Sequence, residues 1–311
     1  MSRVKFGVFL PFYIFQNAQE NATLLFSRLR NVVLEVERLG YHSVWLDDHL
    51  MFGKTSILEC WTTLSALASV TTSIRIGTMV TSNVFRNPAL LAKMAATVDV
   101  ISNGRLELGL GSGVQKDEHL AYGFPFLESR QRVESLKESV EIIKMLWTQE
   151  KVTYAGKFYQ IADAVCEPKP LQKPRPPIII GGGGEKYTLK VTAQHADRFD
   201  FGFISDIEQY KRKMHLIENY CKSMGRSFDE IEKSCWIVGQ IVFSENPKPQ
   251  HDKSASMFKT SETESLLKDL ASKLEVYVDL GATQFMLFFA DLPVKESLQL
   301  FAHRFIKEAG F

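Results

Sequence analysis

The chain has 311 residues, 45% of them hydrophobic, and its 37 basic and 36 acidic side chains leave a net charge of +1. This length is enough for one large core, and we expect a single α/β domain over residues 1–311. The balanced charge gives no overall field that favours nucleic acid or an anionic membrane, so neither is expected as a partner.

The cysteines indicate a reducing compartment. Cys60, Cys166, Cys221 and Cys235 are far apart and form no CxxC pair, as is typical of reduced thiols. Residues 1–5 lead directly into a predicted strand without the features of a signal peptide, and no apolar run approaches the length of a membrane span. These observations predict a cytoplasmic protein.

Apolar runs and helical periodicities alternate along the chain. The predicted elements are strand 6–11, helix 24–39, strand 43–46, helix 58–70, strand 74–80, helix 88–101, strand 105–113, helix 129–147, strand 178–180, helix 186–196, strand 199–204, helix 207–224, strand 236–243, helix 265–280, strand 283–289 and helix 295–309. Eight strand–helix units favour a closed (β/α)₈ TIM barrel, and a doubly wound open sheet is the alternative.

Two segments depart from the alternation. Residues 148–177 contain a predicted hairpin at 151–161 and a proline-dense stretch at 166–177, which we interpret as an excursion between strands four and five. Residues 245–263 are polar and lack apolar periodicity, which predicts a mobile loop.

The pair Asp48-His49 lies directly after predicted strand two. In parallel α/β barrels the C-terminal ends of the strands carry the chemistry, and histidine can move a proton near neutral pH. A functional interpretation has the Asp48 carboxylate set the tautomer or pKa of the His49 ring. The alternative is a surface histidine beside a helix-capping aspartate.

Small and polar residues follow the next strands. Residues 77–83 (GTMVTSN) offer hydroxyl and amide groups that could bind a ring system, or they form an ordinary polar loop. The glycines of residues 109–113 (GLGSG) let a backbone approach a flat ligand closely, or they mark a bulge.

Four consecutive glycines, residues 181–184, join predicted strand five to a helix, with Lys186 and Thr188 just beyond. Unobstructed N–H groups at a helix N-terminus favour a phosphate site, whereas the alternative is a flexible turn. The motif is neither a Walker loop nor a dinucleotide fingerprint. No spacing of histidines and carboxylates supports a metal site, and no GxSxG elbow supports a serine hydrolase.

Taken in order, these blocks resemble the bacterial-luciferase-like superfamily of (β/α)₈ enzymes that use flavin or coenzyme F420. The similarity covers nearly the whole chain and includes ERLGYHSVWLDDHL, DVISNGRLELGLGSG, AYGFPF and the segment from CEPKPLQ to GGGEKYTLK. It is most similar to the branch of F420-dependent oxidoreductases. The resemblance implies a small-molecule substrate and a homodimer.

The resemblance also assigns roles to residues. His49 and Asp48 match the Asp-His pair beside the carbon that takes the hydride, and Met79-Val80 matches a bulge with a non-prolyl cis peptide behind the deazaflavin ring. The remaining matches are to hydroxyl positions near the ring or to the phosphate loop: Ser82, Ser112, Gly183 and Gly184. Lys186 is a further candidate for the phosphate.

One position departs from the family pattern. The sugar-phosphate dehydrogenases carry a glutamate proton donor after the strand-four glycine, where this chain has Val114. A sugar-phosphate substrate is therefore not expected, and Glu118 or Asp117 is the nearest replacement.

The resemblance implies an oxidoreductase that transfers a hydride with F420. The Asp-His pair favours F420 over FMN, as does a loop of glycines, Lys186 and Thr188 that suits the single charge of a phosphodiester. An FMN-dependent monooxygenase is the alternative. A non-catalytic flavin-binding protein and a metal-dependent barrel hydrolase are the rivals from other classes.

Overall fold

The predicted alternation of strands and helices is present in the computed structural model, which describes residues 4–15, 22–204, 206–236 and 263–308. The strands are β1 (Lys5–Leu10), β2 (Ser43–Leu46), β3 (Arg75–Thr78), β4 (Thr81–Ser82), β5 (Leu106–Gly111), β6 (Val152–Ala155), β7 (Gln160–Ala164), β8 (Ile178–Gly181), β9 (Arg198–Asp200), β10 (Glu232–Trp236) and β11 (Gln284–Leu287).

Eight of these strands form a closed parallel barrel. They pair in the order β3-β2-β1-β11-β10-β9-β8-β5, and pairing of β3 with β5 closes the ring. The two-residue β4 continues beyond β3 and pairs with the end of β5. The predicted (β/α)₈ barrel is thus confirmed, and the open-sheet alternative is wrong.

Helices surround the barrel. They are α1 (Thr23–Leu39), α2 (Cys60–Val70), α3 (Pro88–Ile101), α4 (Lys116–Ala121), α5 (Ser129–Thr148), α6 (Thr188–His195), α7 (Ile207–Ser223), α8 (Thr263–Asp279) and α9 (Glu296–Phe301), the last followed by the π-helical turn Ala302–Glu308. Short 3₁₀ turns lie at Phe12–Phe15 and Phe228–Glu230.

The ends of the helices follow local chemistry. Gly40 ends α1 in the left-handed conformation, with a φ of 87°, which glycine adopts without a steric penalty. Asn87 accepts the backbone N–H of Ala89 and so caps α3, whose first residue is Pro88. These residues set where each helix meets the barrel.

Two elements differ from the prediction, and a third lies largely outside the described residues. Strand seven was predicted at 236–243, but β10 begins four residues earlier, at Glu232, because polar side chains face the lower barrel interior and hide the strand pattern. Residues 237–262 lie outside the described residues, and with them most of the predicted 245–263 loop. The six-residue α4 was missed because it is too short to show helical periodicity.

The excursion before β8 contains the predicted hairpin, formed by antiparallel β6 and β7. Glu138 of α5 is bonded to the hairpin turn. Its side chain accepts the backbone N–H groups of Lys157, Phe158 and Tyr159 at 2.8–3.1 Å. The hairpin is therefore fixed to the helix that precedes it.

Trp45 fills the barrel interior and is completely buried. A Cβ atom on Gly77 would lie 2.5 Å from the Trp45 ring, and one on Gly7 would lie 2.7 Å from its Nε1. The two neighbouring strands therefore need glycine beside the indole. A larger apolar layer lies between the strands and the helices.

Beneath Trp45 lies the barrel floor, which we define by Lys5, Arg75, Glu107, Arg198 and Glu232 at the N-terminal ends of the strands. Glu107 is bonded to both Arg75 and Arg198, while Arg198 Nε lies 3.1 Å from Glu232. Lys5 Nζ lies 2.7 Å from the other oxygen of Glu232. These ion pairs close the lower end of the barrel.

All four cysteines are buried and carry free thiols. Within the described ranges, no helix combines the length and the apolar character needed to cross a membrane.

Candidate active site

A cavity of about 430 Å³ opens at the C-terminal ends of the strands, which we call the barrel mouth. The ends of β1, β2, β5, β8, β9 and β10 contribute to its walls, together with the bulge between β3 and β4. Eight of the nine predicted site residues line it: Asp48, His49, Met79, Val80, Ser82, Ser112, Gly183 and Gly184. Lys186 is the exception.

His49 is held by a carboxylate from a distant part of the sequence. Its Nδ1 lies 3.0 Å from Oε2 of Glu118 in α4, and the other oxygen of Glu118 accepts the backbone N–H groups of Leu50 and Met51. Because a carboxylate only accepts, Nδ1 carries the proton in this contact. Nε2 is then the ring atom that is free to exchange a proton.

Asp48 has a different role from the one expected. Its two oxygens bind the guanidinium of Arg86 at 2.7 and 3.0 Å, and one also accepts the backbone N–H of Ser82 at 3.0 Å. Burial raises the pKa of the Asp48 carboxyl, while Arg86 and the Ser82 amide lower it. Asp48 therefore positions β4, and Glu118 is the carboxylate that orients His49.

Asp47 is a second buried carboxyl in the cavity wall, 7% exposed. One of its oxygens accepts the backbone N–H of Phe12 at 3.0 Å. Burial raises the pKa of Asp47 to about 6, although the nearby His49 lowers it. Asp47 can thus hold a proton close to neutral pH.

Asp200 also lines the cavity, but hydrogen-bond donors offset more of the cost of burying its carboxylate. It accepts the indole N–H of Trp236 at 2.7 Å and the backbone N–H of Gly202 at 2.8 Å. Burial raises the pKa of Asp200, and these donors oppose the increase. Its hydrogen bonds fix Trp236 in the cavity wall.

The bulge between β3 and β4 carries a cis peptide bond between Met79 and Val80, as the family resemblance implied. Cβ atoms on Gly109, Gly111 and Gly181 would lie 3.2, 2.6 and 2.6 Å from the Val80 methyl groups. Gly111 and Gly181 therefore accommodate Val80, whereas Gly109 is needed mainly because the Thr78 backbone oxygen lies against it. The Val80 side chain in turn forms part of the cavity wall.

The glycine loop between β8 and α6 lines the opposite wall. A Cβ on Gly183 would lie 2.7 Å from Lys213 Nζ, and one on Gly184 would lie 2.9 Å from Thr188 Oγ1. Lys213 is 8% exposed and donates to the backbone oxygen of Gly183, and burial lowers its pKa. A cation, a hydroxyl and exposed backbone thus meet at this loop.

Lys186 lies outside the cavity. Its side chain is exposed, and its Nζ lies 5.3 Å from the ring centre of Tyr187. The neighbouring Glu185 pairs with Arg212 at 2.5 Å. The role of Lys186 in phosphate binding stays a prediction.

Apolar side chains surround the opening. Val114 and Phe203 line the cavity and are 76% and 64% exposed. Nearby, Tyr13 stacks on Phe52 with ring centres 5.1 Å apart, and Phe52 lies 6.4 Å from the His49 ring. We call these four side chains the apolar rim.

Two residues of the cavity wall, Asp47 and His119, were not assigned from the sequence, and Glu118 was considered only as a replacement acid. Lys213, which bonds the glycine loop, was not assigned either. Asp47 adjoins the Asp-His pair, so its position after a strand was an available signal. His119 and Glu118 depend on α4, and Lys213 lies in a polar helix without a motif. Among the described residues, no group of three or more His, Cys, Asp or Glu side chains could hold a metal ion.

This arrangement can bind a flat ligand with an anionic tail and exchange protons at one end. The glycine loop offers backbone and cationic donors, and His49 and Asp47 can each carry a proton. The apolar rim suits an uncharged partner molecule.

Comparison with known proteins agrees with this architecture. A family model described as luciferase-like monooxygenase matches residues 4–279. A protein of Amycolatopsis mediterranei strain U-32, named F420-dependent glucose-6-phosphate dehydrogenase, is 31% identical over 215 residues, which are 66% of this chain and 62% of that protein. The match thus spans less than two thirds of the relative's length.

Two solved structures share the fold. One is an F420-dependent secondary alcohol dehydrogenase with an F420-acetone adduct, with a TM-score of 0.77 at 19% identity, covering 97% of this chain and 98% of that one. The other is monooxygenase RslO1 from Streptomyces bottropensis, with a TM-score of 0.77 at 21% identity, covering 98% and 99%.

Proposed function

The chain belongs to the luciferase-like monooxygenase family, and we propose that within it the protein is an oxidoreductase that transfers a hydride between coenzyme F420 and a small organic substrate. The observation that carries the proposal is the convergence of His49, the Met79-Val80 bulge and the Gly183-Gly184 loop on one cavity. The names of the dehydrogenase relative and of the alcohol dehydrogenase neighbour support the choice of cofactor.

The residues present fit such a cofactor. Gly183 and Gly184 line the cavity, so their backbone would face an anion bound there, while Lys213 and Thr188 occupy the space beside them. The Ser82 hydroxyl and His119 Nε2 are buried without partners among the described residues, and buried polar atoms normally have one. The glycine loop would hold the tail phosphate, and Val80 would support the ring.

When bound, F420 supplies or accepts the hydride. Oxidation of an alcohol to a carbonyl also releases the proton of the hydroxyl oxygen, and reduction consumes one at the carbonyl oxygen. His49 Nε2 would exchange this proton, because Glu118 keeps Nδ1 protonated and the ring oriented. Asp47 would hold a second proton near neutral pH.

The rim indicates the substrate class. Val114 and Phe203 are apolar and exposed at the opening, and Val114 stands where the sugar-phosphate dehydrogenases have an acid. We therefore propose an uncharged, largely apolar carbonyl compound or alcohol as the substrate, rather than a sugar phosphate.

The FMN-dependent monooxygenase is the second candidate, favoured by the structural similarity to monooxygenase RslO1 and by the buried cation Lys213 beside the glycine loop. A dianionic phosphate would gain more from that cation than a phosphodiester does.

Titration of the purified protein with F420 and with FMN, followed by fluorescence, separates the two candidates. We expect F420 to bind and FMN to bind weakly. Reduced F420 is then mixed with a panel of ketones, and its reoxidation is followed by absorbance in wild type and His49→Ala. Tight FMN binding with no measurable F420 affinity would replace this proposal with the monooxygenase.

From the family resemblance we also propose a homodimer in the cytoplasm. Light scattering of the purified protein checks the oligomeric state.

A further inference from the structure

Two buried polar atoms in the cavity wall lack hydrogen-bond partners among the described residues. They are Nε2 of His119 in α4 and Oγ of Ser82 in β4. The two residues are 1% and 7% exposed, and both line the cavity. Because a buried polar atom without a partner costs stability, such atoms often mark where a ligand completes the hydrogen bonding.

The state of the His119 ring follows from its other nitrogen. Nδ1 lies 2.7 Å from the backbone oxygen of Gln115. A carbonyl oxygen can only accept, so Nδ1 carries a proton, and in the neutral ring Nε2 is an acceptor. Phe85 and Phe126 contact the ring with centres 4.8 and 5.2 Å away, which fixes its orientation.

Gly113 keeps the space between the two atoms open. A Cβ atom at this residue would lie 2.7 Å from His119 Nε2 and 2.9 Å from Ser82 Oγ. Both atoms therefore face one small volume, which a side chain would fill. Gly113 also lines the cavity, so this volume is continuous with the larger site.

We propose that His119, Ser82 and Gly113 form a subsite for a neutral group of the bound cofactor that both donates and accepts a hydrogen bond. The group donates to His119 Nε2 and accepts the Ser82 hydroxyl hydrogen. The identity of the ligand rests on the proposed function.

The chemistry of the subsite excludes charged groups. An anion would meet the lone pair of His119 Nε2 and the nearby Asp48 carboxylate, which is bonded to the Ser82 amide. A cation has little to gain, because Arg86 already neutralises Asp48. F420 and FMN offer two suitable groups, an imide N–H beside a carbonyl on the ring and the hydroxyls of the polyol chain.

The test measures the dissociation constant of F420 by fluorescence for four proteins: wild type, His119→Phe, Gly113→Ala and Gly123→Ala. His119→Phe keeps an aromatic ring between Phe85 and Phe126 but removes the acceptor. Gly123→Ala is the matched control, because Gly113 and Gly123 share a φ of 75° and nothing lies within 4 Å of a Cβ on Gly123.

We expect His119→Phe and Gly113→Ala each to weaken F420 binding by about tenfold, as the loss of a buried hydrogen bond does. Gly123→Ala should stay within about twofold of wild type. If His119→Phe binds F420 like wild type, or if both alanine variants weaken binding equally, the subsite is wrong.

A second readout is made on the wild-type protein and does not depend on the affinity of a variant. The ¹⁵N resonance of His119 Nε2, assigned by its absence from His119→Phe, should move upfield when F420 binds, because the nitrogen then accepts a hydrogen bond. An unmoved resonance at saturating F420 would overturn the proposal. Repeating the titration with a deazaflavin that lacks the polyol chain shows whether the ring or the chain supplies the group.

Failure of the proposed function gives a different result. If wild type binds FMN and not F420, the cofactor assignment is wrong, whereas the same four proteins titrated with FMN still test the subsite.

Discussion

Two buried carboxyl groups at opposite ends of the barrel respond to burial in opposite ways. Glu107 on the barrel floor and Asp47 at the barrel mouth are 2% and 7% exposed. Burial alone would raise both pKa values, yet Arg198 and Arg75 lower the pKa of Glu107 to about 2, whereas that of Asp47 is raised to about 6. The number of adjacent cations decides the direction.

The barrel floor thus contributes to stability, whereas the barrel mouth can take part in proton transfer. On the barrel floor, each carboxylate lies within ion-pair distance of a cation, which keeps it ionised. At the mouth, the Asp47 carboxyl is bonded to backbone N–H groups and has no Arg or Lys at ion-pair distance among the described residues, so its charge can change near neutral pH. The carboxylates below Trp45 therefore stay charged, whereas a carboxyl group above Trp45 can gain or lose a proton.

The largest effect should follow from removing a cation from the barrel floor. Arg198→Met leaves Glu107 and Glu232 without their shared cation, and we expect a loss of about 3–5 kcal/mol in the free energy of unfolding. Urea denaturation measures it. Arg38→Met, which removes an exposed pair with Glu35, is the control and should leave the free energy of unfolding nearly unchanged. Equal losses in the two variants would show that the floor is not a special source of stability.

At the mouth, Glu118→Gln should lower kcat by about tenfold or more, because the His49 ring loses its anionic partner when it carries a charge. The F420 dissociation constant should stay within about twofold. Asp117→Asn, an exposed change on the same helix, is the control. The assay is the reoxidation of reduced F420 by a ketone substrate, and an unchanged kcat would remove Glu118 from the mechanism.

Asp47→Asn tests whether the raised pKa of Asp47 at the barrel mouth lowers stability at high pH. With a folded pKa near 6 against an ordinary 3.8, the folded state keeps a proton that the unfolded state has released between these pH values. Stability is therefore lost as the pH rises through this window. We expect Asp47→Asn to be more stable than wild type by about 2 kcal/mol at pH 8 and equal to it near pH 4. Urea denaturation at the two pH values measures the difference, and a variant that is less stable at pH 8 would reverse the assignment.

The smallest effect concerns the glycine loop. Lys213→Met should weaken F420 binding about fivefold, because the buried ammonium bonds the backbone oxygen of Gly183, and Gly183 lines the cavity where the tail phosphate would lie. Lys186→Met, the same replacement at an exposed lysine, should weaken binding less. The reverse order would favour the original prediction that Lys186 binds the phosphate.

The sequence predicted the barrel because buried strands and amphipathic helices have a local period, and it placed His49 correctly because strand ends are local features. It could not identify the partner of His49, since Glu118 lies 69 residues away and reaches the ring through the packing of α4. Asp48 was adjacent in sequence, but its side chain points to Arg86 instead.

The glycines were harder to interpret for a similar reason. A glycine shows that space is needed but not what occupies it. A ligand or a bulge was predicted beside Gly109 and Gly111, and the space is filled by the Thr78 backbone at Gly109 and by Val80 at Gly111. Only the three-dimensional path of the bulge distinguishes a neighbouring side chain from a bound molecule.

Trp45, seated between Gly7 and Gly77 above the charged floor, has a kinetic consequence. The barrel is blocked beneath the cavity, so cofactor and substrate enter and leave through the same opening. Whichever molecule occupies the outer position must depart before the inner one can. We therefore expect an obligatory order of association and release, with the buried indole as its structural cause.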